Sequence, residues 1–148
     1  MPVRPAEPDD FEAICAMLLA HAAHEGAGDQ MRLHREETYA ALFGAAPVVR
    51  AHIASPPDAP GTTAGFALWY PTFSSWATKP GIWLEDLYIE PEHRRHGLGR
   101  ELLDTLRSLT DGRVEWDVAD GNDAAQDFYR SLGALPVGGW IRYRWSAR

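Results

Sequence analysis

The stretch "IWLEDLYIEPEHRRHGLGRELLDTLRSL" (82–109) constrains the fold more than any other part of the chain. Its first residues, "IWLEDLYIE" (82–90), read as a strand, and Pro91 stops it. From about Leu98, leucines 98, 102, 106 and 109 recur on one helical stripe, with Arg100 and Asp104 able to pair on the outer side. Between strand and helix lies "RRHGLG" (94–99). Glycines are costly at a helix start unless the backbone must approach something closely. The first amides of a helix have no intrahelical acceptor, and the helix dipole places partial positive charge there. Arg94, Arg95 and His96 add cationic side chains, so the turn has the makings of a phosphate-binding site. A Walker loop would need Lys-Ser/Thr where Arg100-Glu101 stand, and a dinucleotide fingerprint would need a third glycine. A plain strand-to-helix turn remains the alternative on these residues alone.

The remaining 120 positions fit one domain of 148 residues, 1–148, with room for a core. At 45% hydrophobic and 11% aromatic, the chain is not a disordered one. The apolar run "AICAMLLA" is too short to span a bilayer, and "MPVRPAEPDD" lacks the apolar segment of a signal peptide, so no membrane role is expected. A net charge of -7 argues against nucleic acid as a partner. The single cysteine, Cys15, allows no internal disulfide and suits a cytoplasmic location; its apolar neighbours make it a core residue.

The expected elements are a short strand at 2–5, a helix capped by Asp9 or Asp10 with Phe11, Ile14, Leu18, Leu19 and Ala22 inward, and a helix at 35–43. Strands at 48–54 and 65–70 pair as a hairpin around the loop 55–62; a second loop covers 74–81. After the Gly-turn helix come a strand at 113–118 and a helix at 122–133, capped by Asn122 and closed by Gly133. The alternating tail "WIRYRW" predicts two strands or a hairpin in 134–146. Hairpins mixed with strand–helix alternation give an α/β fold around a mixed sheet.

"WLEDLYI" sets two carboxylates in an otherwise apolar strand. A regular strand sends Glu85 and Asp86 to opposite faces, so one of them is in a costly place unless it lines a cleft or a bulge. Trp69, Tyr70 and Trp76 either pack in the core or wall a cationic site. The six histidines show no metal-ligand spacing, so no metal is expected.

"RRHGLG" matches the Arg/Gln-x-x-Gly-x-Gly/Ala motif of the GNAT superfamily of acetyl-CoA-dependent N-acetyltransferases. "GFALWYPTFSSW", "WLEDLYIEPEHRRHGLG" and "NDAAQDFYRSLGA" together resemble its spermidine/spermine (diamine) group and the thialysine-acetylating relatives. The resemblance implies a mixed, mostly antiparallel central sheet of about six or seven strands with about four helices. It implies acetyl-CoA as co-substrate, held by Arg94, Arg95, His96, Gly97, Leu98, Gly99 and Arg100 at the pyrophosphate. Leu87, Tyr88 and Ile89 would line the pantetheine arm, and Asn122 and Phe128 would approach from the other side. Tyr129 would protonate the departing thiolate, and Glu85 would help remove the amine proton. Glu25, Trp76, Glu85 and Asp86 would bind the amine. The acceptor would be a diamine or polyamine; a thialysine-like amino acid, another amine, or a non-catalytic acetyl-CoA sensor are the alternatives. "FSSW" lacks an acid expected of the polyamine enzymes, for which Glu25 and Asp29 could compensate. The group resembled also implies a homodimer.

Overall fold

The computed structural model describes residues 2–148, and the chain divides into two compact units, one ending at Asp117 and the other running Val118–Arg148. The first unit carries a five-stranded sheet ordered β1-β2-β3-β4-β5: Val3–Pro5, Arg50–Ala54, Gly65–Ser74, Lys79–Ile89 and Val114–Glu115. Neighbours are antiparallel except β4 and β5, which are parallel. Helices α1 (Phe11–His24), α2 (Arg35–Phe43) and α3 (Leu98–Ser108) complete it. The second unit contains α4 (Asp123–Ser131).

Side-chain alternation explains the core. Ala51 and Ile53 on β2, Phe66 on β3 and Tyr88 on β4 share one sheet face. Against them pack Phe11, Ile14, Cys15, Met17 and Leu18 of α1, and Leu42 of α2. Helix α3 packs across β1 to β4 through Leu98, Leu102, Leu103 and Leu106, which lie outside that cluster, so both sheet faces are covered. Before α1, Arg4 donates to both carboxylate oxygens of Asp10 at 2.8 and 2.9 Å, and Glu7 N–H donates to Asp10 at 2.7 Å. That guanidinium holds Asp10 below the usual carboxylate range. Asp10 sits at the cap position of α1, but its side chain serves Arg4 and the Glu7 amide and makes no bond to the first amides of α1.

Several expectations need correcting. Among the described residues the sheet has five strands, not six or seven. Leu19 is exposed because the stripe 11/14/15/18 turns it past the edge, and Leu109 is exposed because α3 stops at Ser108. Strand pairing runs on through Ser74↔Lys79, which reduces the expected loop 74–81 to a four-residue turn, 75–78. The 113–118 strand shrinks to Val114–Glu115. The tail 134–148, expected as two strands or a hairpin, forms no strand. The 48–54/65–70 hairpin, the 35–43 helix, the Arg100–Asp104 pair and the Asn122 cap (3.2 Å from Ala125 N–H) are as expected.

Leu102 is fully buried. Leu102→Ala is expected to cost about 2–5 kcal/mol in urea unfolding, against less than about 0.5 kcal/mol for Leu109→Ala on the same helix.

Candidate active site

The β3–β4 ladder slips once. Leu68 stands opposite Asp86 and Trp69 opposite Leu84, so Glu85 is the extra residue of a β-bulge. Tyr70, opposite Trp83, shares a face with Leu68. Trp83 and Asp86 therefore share that face although they are three residues apart. Trp83 Nε1–H donates to Glu85 Oε2 at 2.9 Å, which ties the bulged acid to the same side. The expected opposition of Glu85 and Asp86 is undone by one inserted residue.

Asp86 pays for the arrangement in desolvation. Burial, reinforced by the negative charge of Glu85, pushes its carboxyl up from 3.8 to about 6. Helix α1 brings His21 to it: Nε2 lies 3.6 Å from Asp86 Oδ1, and the ring packs on Tyr88 at 5.6 Å. Burial lowers the His21 pKa, so near neutrality the pair is a neutral imidazole beside a carboxylate rather than an ion pair. Glu25, one turn on, acts on His21 in the opposite sense, favouring its charged form.

Past Trp83, β4 has no second neighbour. Its pairing with β5 ends at Ile82↔Val114 and Trp83↔Glu115, which leaves one edge of 85–89 unpaired among the described residues. Leu87, Tyr88 and Ile89 lie along this edge. The Ile89 carbonyl already accepts from Arg94 Nε–H at 2.8 Å, and the Arg94 guanidinium lies over the Tyr88 ring. Arg94 is thus folded back on the strand end, whereas Arg95 and His96 are exposed.

The turn is built for close approach. Arg95 has φ +65° and Gly97 φ +84°, left-handed backbone that a non-glycine residue such as Arg95 adopts at a cost. Successive amides in such a turn form a concavity for an anion. A Cβ added at Gly97 would meet nothing within 4 Å, so the conformation, not crowding within the chain, calls for glycine there. The turn opens directly into α3, whose first intrahelical bond runs from Glu101 N–H to Gly97 O at 3.0 Å, leaving the amides of Leu98, Gly99 and Arg100 without helical acceptors.

Trp76 stands 78% exposed in the β3–β4 turn, away from any ladder pairing. Trp69 is a core residue whose Nε1–H donates to His52 Nδ1 at 3.0 Å. In the second unit, the Asn122 side chain caps α4, and the rings of Phe128 and Tyr129 lie 5.3 Å apart. Among the described residues no group of three or more potential metal ligands converges.

Sequence reasoning missed His21 and Trp83. His21 follows Ile14 and Leu18 at helical spacing, which aims it at the sheet. Trp83 and Glu85 are two apart in a strand, which puts them within reach.

Residues 20–134 match the model of the acetyltransferase (GNAT) family. The chain belongs to the GNAT family of acetyltransferases. A thialysine N-epsilon-acetyltransferase of Bos taurus is 30% identical over 154 residues, covering 96% of this chain and 90% of that protein. A spermidine/spermine N(1)-acetyltransferase-like protein 1 of Homo sapiens is 30% identical over 155 residues, covering 97% of this chain and 22% of that one. A crystal structure titled a probable acetyltransferase superposes with TM-score 0.80 at 20% identity, covering 100% of this chain and 99% of the other, and shares its fold. No helix among the described residues of this GNAT acetyltransferase is long and apolar enough to cross a membrane.

The Asp86 shift makes a prediction about stability. Between pH 3.8 and about 6 the folded chain holds a proton that the unfolded chain has released, so stability falls as pH rises through that window and stays lower above it. Asp86→Asn removes this penalty. The variant is expected to exceed wild type at pH 7.5 by up to about 3 kcal/mol in urea unfolding, with the gap closing toward pH 4. A gap of equal size at both pH values would show that charge at position 86 is not the cost.

Proposed function

We propose that the protein transfers the acetyl group of acetyl-CoA to a primary alkyl amine of a small molecule, by direct attack within a ternary complex. The observation that carries this reading is the bulge that gathers Glu85 and Asp86 beside the unpaired edge of β4. Only a neutral amine can attack a thioester. A lysine-like amine has a pKa of about 10.4, so its neutral form costs about 4–5 kcal/mol at pH 7. A site for such acceptors needs negative charge to recruit the ammonium and a group to take its proton.

Each group has a part in this reading. Asp86 and Glu25 attract the ammonium, with Trp76 at the hairpin turn as an aromatic neighbour. Glu85, held by the Trp83 indole, accepts the amine proton directly or through water. The amides of 94–99, Arg94's among them, and the cationic side chains of Arg95 and Arg100 hold the pyrophosphate, and the β4 edge at 87–89 receives the pantetheine arm. Acetyl-CoA supplies the thioester. Asn122 and Phe128 border the cofactor, and the Tyr129 hydroxyl protonates the departing thiolate. Cys15 is buried in the α1 core, which suits a mechanism without an acyl-enzyme.

Diamines and polyamines stand first among the acceptors, since they present only cationic ends to a site rich in carboxylates. A second reading, thialysine-like amino acids, is favoured by the Bos taurus relative, of which the match spans 90%. The reading also includes a homodimer. Trp140, Ile141, Tyr143 and Trp145 are exposed along the tail, and a second copy would cover them.

Three outcomes are expected. Gly97→Leu abolishes binding of CoA in isothermal titration, because a side chain there strains the left-handed backbone and stands where the pyrophosphate would approach the amides; unchanged affinity contradicts the cofactor assignment. Tyr129→Phe keeps CoA binding while kcat falls by about tenfold to a thousandfold. Thiol release over a panel of diamines, polyamines, thialysine and aromatic amines shows turnover confined to alkyl amines, and activity only with aromatic amines contradicts the acceptor class.

A further inference from the structure

Asp86 and His21 present an unfinished arrangement. Their closest approach, 3.6 Å, is too long for a hydrogen bond, and His21 Nδ1 is buried with no partner among the described residues. Both side chains are only about one-fifth exposed. Buried polar atoms of native proteins are satisfied in the great majority, and an exception calls for a reason. Packing alone would be served better by an apolar residue at position 21, since the histidine follows Ile14 and Leu18 on the inward stripe of α1 and its ring already rests on Tyr88.

The charged groups around the pair act on it in both senses. Glu25 on α1 favours imidazolium at position 21, while His24 on α1 and Arg94 after β4 oppose it, and burial opposes it most. Glu85 on β4 favours a proton on Asp86. Tyr88 is committed elsewhere, its hydroxyl donating to Glu90 at 3.3 Å. Burial raises Asp86 and lowers His21, which moves the proton affinities of the two neighbours toward each other.

We propose that His21 is the proton-holding partner of Asp86: the proton that the acceptor ammonium gives up before attack passes to the Asp86 carboxylate and on to the His21 imidazole. The N–H bond of the ammonium breaks and leaves its electron pair on the amine nitrogen. The proton bonds to Asp86, which then delivers it to Nε2 of His21 and returns to carboxylate. The balance is ammonium plus neutral imidazole giving neutral amine plus imidazolium, with no other reactant. His21 acts through Asp86 and is a positioning residue; Glu85 takes the second proton, the one the nitrogen loses once it has bonded to the acyl carbon. The proposal rests on the amine-acetylating reading above.

The test compares two acceptors on wild type and His21→Gln, with His21→Asn as a second variant. One acceptor is the best alkyl amine of the wild-type panel. The other is its fluorinated analogue, whose nitrogen is already neutral at the assay pH. For the alkyl amine, kcat/KM is expected to fall by about tenfold or more, and for the fluorinated amine by less than about twofold, with KM for acetyl-CoA unchanged. Equal losses with both acceptors, or none with either, overturn the role of His21 while leaving the proposed function standing. A wild type that acetylates no amine overturns the proposed function, and this proposal with it.

Discussion

One slipped residue in the β3–β4 ladder governs the rest of the site. Without it, Glu85 and Asp86 would face opposite sides of the sheet. With it, Trp83 and Asp86 share a face, Glu85 is tied back to Trp83, and Asp86 meets α1. Register is strongly specified where a face is buried, because a slip moves every side chain across the sheet. Here the slip is confined to one position and is held on both sides of it. Ile82 and Leu84 are buried before it, and Tyr88 after it.

The cost of the bulge falls on charge rather than on packing. Asp86 lies in a desolvated place beside a second acid and is raised to about 6. The nearest cationic candidate, His21, is itself lowered by burial and does not neutralise it. Elsewhere the chain treats a buried acid differently: Asp10 is bonded twice by Arg4 and lowered. The two aspartates show what the same side chain does with and without a guanidinium. An unneutralised acid near physiological pH is destabilising for the fold and useful to a site that must attract a cation.

Legibility in the sequence followed the range of the information. The turn 94–99 is readable because glycines, cationic side chains and free helix-start amides stand in a row; the left-handed backbone at Arg95 and Gly97 is seen only in the structure. The amphipathic stripe of α3 and the Asn122 cap are equally local. The "WLED" carboxylates allow a bulge among other arrangements, but choosing it requires the pairing of Leu68 with Asp86, eighteen positions away in the chain. No local pattern marks His21 as a neighbour of Asp86, since that approach depends on how α1 lies on the sheet. "WIRYRW" has strand alternation, yet 134–148 forms no strand: alternation tells which face a side chain would take and not whether the backbone pairs. Arg94 is folded onto Ile89 and Tyr88, a contact no spacing rule conveys.

The account depends on Asp86 being a desolvated acid held beside Glu85 by the bulge. Carboxyl-carbon NMR of the aspartate-labelled protein, with Asp86→Asn to assign the signal, measures its titration directly. The account predicts a midpoint near 6 that moves down when Glu85 is replaced by Gln, because the neighbouring negative charge is gone. A midpoint at the ordinary value of 3.8, unmoved by Glu85→Gln, would contradict it.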